Sequence, residues 1–195
     1  MSAGGGTLGL APHSGWAAAV LLGGSARQPR VIARERLELA DECMPGSRQP
    51  YHALELQPLS EARRELARYE SAAAERAASA LRMLFARTGG ARAAVILDSS
   101  GRNGGADLAA ILASHALIHT ADGNHFRAAL EAALTGLAVP VTRIPQRELV
   151  ARAAAALALR EADLTAGVAA LGRAAGVPWG ADQKAAALAA WLLLA

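Results

Sequence analysis

The chain has 195 residues, 53% hydrophobic and 19% charged, enough for one domain with a sizeable core, and this balance excludes an intrinsically disordered protein. A formal net charge of +3 at pH 7 with a pI of about 9.7 permits a nucleic-acid partner without requiring one. Cys43 is the single cysteine, so an intrachain disulfide is excluded and a reducing compartment is favoured.

Residues 1–6, Met-Ser-Ala-Gly-Gly-Gly, lack the positive region and apolar stretch of a secretion signal and read as a disordered lead-in. Ala185 to Ala195 is too short to span a bilayer. The expected location is the cytoplasm, and residues 7–195 read as a single domain.

Thr7 to Ala11 predicts the first strand and Trp16 to Leu22 the second, joined by a polar turn that carries His13 and Ser14. Gly23-Gly24 supplies the positive φ a tight hairpin needs. From Arg30 to Leu39, apolar and charged residues alternate, which marks a half-buried third strand. Residues 41–58 contain three of the eight prolines (Pro45, Pro50, Pro58) and Gly46, and read as irregular. A long helix follows, about Ser60 to Arg87. Its apolar face is Leu66, Tyr69, Ala73, Ala77, Leu81, Leu84 and Phe85, and Gly89-Gly90 stops it.

Ala93 to Leu97 is continuously apolar, as in a central strand covered on both faces. It ends at Asp98. Gly101 to Gly105 lacks the lysine and spacing of a P-loop and reads as a plain loop. Residues 106–137 are helical with a break expected near Asp122-Gly123. Val139 to Ile144 is a short strand, and helices are expected at about 147–157, 161–174 and 182–194. Crossovers through helices imply parallel pairing for the last two strands. The expectation is α/β: a mixed five-stranded sheet, three antiparallel strands then two parallel ones, with helices on both faces.

This order of elements resembles the ribonuclease H-like fold, closest in pattern to the RuvC-type Holliday-junction resolvases. Gly9-Leu10-Ala11-Pro12-His13, followed by Gly15-Trp16, is similar to the Gly-Ile-Asp-Pro-Gly pattern that ends that family's first strand. Asp98 stands where a Glu ends the family's fourth strand. Val139 to Pro145 is similar to its fifth strand, and Asp182-Gln183-Lys184 with the following alanines is similar to its last helix. The resemblance runs through the layout of residues 7–194 and rests on several weak motifs occurring in order.

In that family, carboxylates from strand one, strand four and the last helix hold two Mg²⁺ ions that flank a scissile phosphate. Here Ala11 occupies the place of the bridging acid, and a methyl group ligates no metal. The resemblance therefore implies a catalytically degenerate domain that binds nucleic acid, branched or duplex DNA, or serves as a scaffold. The alternative is a Mg²⁺- or Mn²⁺-dependent nuclease. Its catalytic residues would be Asp98, Asp182 and His13, with Asp98 and Asp182 as metal ligands and Ser14, Ser99 and Arg102 as substrate contacts. A third reading is a protein-interaction module whose alanine-rich helices form a homodimer face.

Other candidates stand outside the resemblance. His115 and His119 are four apart on a predicted helix and share a face. With Asp122 or His125 they could begin a metal site, although Ala116 stands where a zinc-protease motif has its acid. The competing reading has them capping the helix or packing near the sheet edge. His13-Ser14 makes a nucleophile and base only if Asp98 or Asp182 orients the histidine. Pro50-Tyr51-His52 fits a binding loop and a packed anchor equally, and Trp179 reads as a core plug beside the last helix.

Overall fold

A computed structural model describes residues 5–98 and 105–195; the expected lead-in, apart from its last two residues, and most of the loop after Asp98 lie outside them. Three strands come first: β1 (Gly6–His13), β2 (Trp16–Ser25) and β3 (Gln28–Glu38). Then follow α1 (Pro50–Leu54), α2 (Leu59–Thr88), β4 (Ala91–Asp98), α3 (Leu108–Leu112), α4 (His115–Gly136), β5 (Val141–Pro145), α5 (Leu149–Leu157), α6 (Glu161–Ala175) and α7 (Ala181–Leu192). The sheet order is β3-β2-β1-β4-β5. β1–β2 and β2–β3 are antiparallel, and β4 runs parallel to both β1 and β5. The expected mixed sheet is therefore present.

Strand alternation divides the core into two layers. Leu8, Leu10 and Ile96 point to one face and pack with Leu81 and Leu84 of α2 and Phe126 and Leu130 of α4. Ala11, Ala18, Val95 and Leu97 point to the other and pack with Leu149 of α5, Leu164 and Leu171 of α6 and Ala186, Ala190 and Trp191 of α7. β2 and β4 are buried on both faces, which explains their unbroken apolar runs. β3 lies at the sheet edge, so its alternate residues stay wet.

Three local expectations need correction. Residues 41–58 are not wholly irregular, because Pro50 opens the short helix α1 from its first position, where the missing N–H costs nothing. α2 starts at Leu59, one residue before the expected Ser60, directly after Pro58. The helical stretch after β4 breaks at Ala113-Ser114, where Ser114 is extended (φ −136°, ψ 110°), and α4 runs straight through Asp122-Gly123. Asp122 does not break the helix because its carboxylate is engaged by α1 and so does not compete for its own backbone. Among the described residues no helix is long and apolar enough to cross a membrane.

α7 lies unusually close to β1. A Cβ on Gly9 would stand 1.9 Å from the Ala186 carbonyl oxygen and 2.8 Å from the Ala190 nitrogen. The Thr7 hydroxyl donates to the Ala190 carbonyl at 2.8 Å from the same strand face. Gly9→Ala is therefore expected to lower stability by about 3 kcal/mol or more, because backbone rather than a mobile side chain must give way. Gly136→Ala, at a helical site with nothing near the added methyl, is expected to be neutral or stabilising by up to about 1 kcal/mol. Urea unfolding of the two variants beside the wild type measures the contrast.

Candidate functional site

Strands β1 and β4 end at the same sheet edge, and β3 leaves the sheet there too, since His13 pairs with Trp16 and Trp16 with Glu38. Ser14 and Gly15 turn the chain between β1 and β2, with Gly15 at φ +83°. The Gly15 carbonyl accepts from the backbone N–H groups of Leu39 and Ala40 at 2.8 and 2.9 Å, which fixes the exit of β3 against the turn. The turn therefore presents His13 and Ser14 on a rigid base.

His13 is the outermost residue of β1 on the α7 side. Its Nε2 lies 2.9 Å from Oδ1 of Asp182, in the first turn of α7. The N-terminus of α7 favours an acid there through the helix dipole. Its position is set by Gln183, whose side-chain oxygen accepts from the Gly180 N–H at 2.9 Å. The Arg34 guanidinium holds the preceding loop, donating to the carbonyls of Gly176, Val177 and Pro178 at 2.6–2.9 Å. The His13 ring also stacks on Trp16, with centroids 4.4 Å apart and planes 11° from parallel. Arg36 lies over the Trp16 ring at 3.8 Å and pairs with Glu38. Two groups this close to one ring must occupy its opposite faces, so Trp16 has no free face on which to stack a base. Trp179 packs on α6, where a Cβ at Gly172 would meet its ring at 2.3 Å, as a core plug does.

Asp98 is not part of this pair. In the β1–β4 register Leu10 lies beside Ile96, so Leu97 follows beside Ala11 and Asp98 turns to the α4 face. There its Oδ1 sits 3.4 Å from Nε of the buried Arg127, and its Oδ2 sits 4.0 Å from Arg143. Arg127 donates to the Leu97 carbonyl at 3.0 Å and to the Gly123 carbonyl. Arg143 is shared with Glu131 at 2.6 Å. Burial pushes the Arg127 guanidinium down from its ordinary pKa, and the Asp98 carboxylate beside it acts to hold it charged.

These donors do not fit a pair of divalent ions. Ala11 is buried against Ala18, Leu97 and α7, and Asp98 faces Arg127 and Arg143 on the opposite side of the sheet, its buried Oδ1 without a hydrogen-bond partner among the described residues. The structure brings His13 and Asp182 together and leaves Asp98 apart. Ser14 is exposed in the turn beside them, while Ser99 and Arg102 lie outside the described residues.

His115 and His119 also lie apart from the His13 pair. Their Nε2 atoms are 3.1 Å apart, and the third histidine beside them is His52 of α1, not His125. Asp122 stands behind His52 instead of in the cluster, with Oδ2 2.5 Å from His52 Nδ1. His125 is buried against Tyr51 and Phe126, beside a cavity of about 300 Å³ that Tyr51, Glu70 and Asn124 also line. Burial is the main cause that pushes the Tyr51 hydroxyl up to about 12, with Glu70 and Asp122 adding to it. His52 had no sequence signal as a partner for α4, because 63 residues separate it from His115 and only the docking of α1 on α4 joins them.

The comparisons with known proteins agree with this layout. Two solved structures from Thermus thermophilus are similar over nearly the whole chain. One is RuvC in complex with a Holliday junction substrate: 11% identity, TM-score 0.57, covering 95% of this chain and 90% of that one. The other is RuvC itself: 11% identity, TM-score 0.54, covering 95% and 91%. The chain has the ribonuclease H-like fold. No protein-family model and no curated protein matches its sequence.

His125 is a pH-sensitive group of this fold, apart from the His13–Asp182 pair. Burial lowers the pKa of His125 from its ordinary 6.5, against a smaller opposing pull from Asp122. Below about pH 6.5 the unfolded chain takes up a proton there that the folded chain resists, so this contribution to stability is full above that pH and is lost as pH falls. His125→Gln is expected to show a smaller drop in urea midpoint than the wild type between about pH 7.5 and pH 5.5. Equal drops in both proteins would show that His125 is not a source of the acid sensitivity.

Proposed function

We propose that the chain is a catalytically degenerate ribonuclease H-like domain that binds nucleic acid and does not cleave it. The observation that carries this reading is Ala11, a buried methyl in a dry layer of Ala18, Leu97 and α7, where the two-metal chemistry implied by the resemblance needs its bridging carboxylate. The place of Asp98 on the α4 face beside Arg127 and Arg143 supports it as well, since two nearby positive charges oppose a divalent cation there. Binding is supported by the net charge of +3 and by Arg36 and Arg48, half-exposed near the β1–β2 turn. One of the two similar structures was solved with a Holliday junction substrate. Phosphate contacts from such arginines give affinity without base readout.

The test is binding to a four-way junction and to linear duplex DNA across a salt series, with cleavage assayed in Mg²⁺ and in Mn²⁺. Affinity should fall steeply with salt, and neither metal should yield strand scission. Arg36→Ala with Arg48→Ala should weaken binding to both DNAs and flatten the log–log salt slope by about one unit per arginine. No binding to either DNA at low salt overturns the reading. Mn²⁺-dependent cleavage that Asp182→Asn abolishes replaces it with the metal-dependent nuclease.

Asp98→Asn separates support of the fold from catalysis. The variant leaves Arg127 buried opposite a neutral amide, and thermal or urea unfolding should show a loss of about 1–3 kcal/mol. DNA affinity should stay at the wild-type level.

A further inference from the structure

Three imidazoles from two distant segments meet away from the His13 edge. His52 belongs to α1; His115 and His119 lie one turn apart on the first two turns of α4. The His52 ring centroid is 5.3 Å from that of His115 and 4.5 Å from that of His119, and the latter two are 4.5 Å apart. One ligating nitrogen from each lies within 4.8 Å of the other two.

A second, independent feature stands behind them. The Asp122 side chain is only 4% exposed. Its Oδ1 accepts the Tyr51 backbone N–H at 2.8 Å, and its Oδ2 lies 2.5 Å from His52 Nδ1. A buried carboxylate demands donors on both oxygens, so His52 donates from Nδ1 and its Nε2 is the nitrogen left for a ligand. A carboxylate behind an imidazole is the usual way a ligating histidine is oriented and made more basic. Glu55 stands 4.0 Å from Nδ1 of His115, which leaves the Nε2 of His115 turned to His119.

We propose that His52, His115 and His119 form a three-histidine site for a divalent cation of the zinc class, with Asp122 as the positioning residue behind His52. An all-nitrogen donor set suits Zn²⁺, Co²⁺ and their neighbours and is wrong for Mg²⁺, which takes oxygen. Bonds of about 2.0–2.1 Å in a tetrahedral shell hold ligand nitrogens about 3.3 Å apart. His115 and His119 already stand at 3.1 Å, and modest ring rotation brings in His52. Three protein ligands leave the fourth position to water, the pattern of an open site. The ion would also clip α1 to α4, two elements joined otherwise by Asp122. This proposal is independent of whether the domain binds DNA.

The experiment uses the untagged full-length chain, stripped of metal and titrated with Co²⁺ and then Zn²⁺. One equivalent of Co²⁺ should bind and give the visible absorption of a tetrahedral nitrogen site, and Zn²⁺ should displace it and raise the melting temperature. His115→Ala and His119→Ala remove exposed side chains, so they should fold normally and lose the absorption. Asp122→Asn should bind one equivalent 10- to 100-fold more weakly. His13→Ala should bind as the wild type does. The site is overturned if no stoichiometric ion binds, if the combined His115→Ala, His119→Ala variant binds unchanged, or if His13→Ala removes binding as completely as they do. Should Asp122→Asn fail to fold, the two exposed variants decide the matter alone.

Discussion

The seating of α7 on β1 governs the rest of the structure. The helix approaches so closely that no side chain fits at Gly9, and the interface is built from small residues: Ala11 and Ala18 on the strands, Ala186, Ala187, Ala189 and Ala190 on the helix. Closeness of this kind fixes position more tightly than a contact between long side chains, because backbone meets backbone and neither yields. Thr7 adds a buried hydrogen bond to the Ala190 carbonyl, and the Trp191 indole donates to the Ala26 carbonyl at 2.9 Å. Arg34 ties down the loop before the helix. With the helix pinned along its length, its first turn has one place to go, and Asp182 lands on His13.

That pinning does not by itself make a two-metal centre. Successive strand residues face opposite layers, so one step of sequence separates a side chain that meets α7 from one that meets α4. The face that carries His13 and Asp182 offers Ala11 and Leu97 beneath them. The acid of β4 falls one residue later, at Asp98, and joins Arg127, Arg143 and Glu131 on the other face. The strand ends and the first turn of α7 thus carry charges that are distributed across two layers. An aspartate next to a buried arginine has a structural task, since it offsets part of the cost of burying the guanidinium.

Period-two alternation in β3, the unbroken apolar runs of β2 and β4, and the glycines that close turns and helices made most of the architecture readable from sequence. The positions of Ala11 in β1 and Asp182 in the first turn of α7 were also readable, because each stands in a short motif at a strand or helix end. Asp98 was placed at its strand end correctly, but its face was not readable. A β-bulge shifts the β1–β4 register between Gly6 and Thr7, and no composition rule reports which way a terminal residue turns. His52 and Asp122 lay further out of reach. Their partnership spans 70 residues and depends on α1 docking against α4. The sequence offered only a Pro-Tyr-His of uncertain role and an Asp-Gly that imitates a helix break.

α4 explains why that imitation fails and why the helix matters. It buries Asp122, His125 and Arg127 within two turns, an uncommon load for a helix whose other task is to cover a sheet. Asp122 and His125 find their main contacts on α1, at His52 and Tyr51, and Arg127 finds its own on the end of β4. Well-packed apolar side chains at these positions would serve stability as well or better, since buried charges seldom repay their desolvation. What the polar groups supply is fixed geometry. Through Asp122 the helix sets the tautomer of His52, and through Arg127 it sets the place of Asp98. The polar chemistry of the molecule is therefore carried by two separate layers, with His13 and Asp182 on the α7 side and the Asp98–Arg127 pair and the histidine cluster on the α4 side. The layer that holds the histidine cluster owes its arrangement to the docking of α1 on α4.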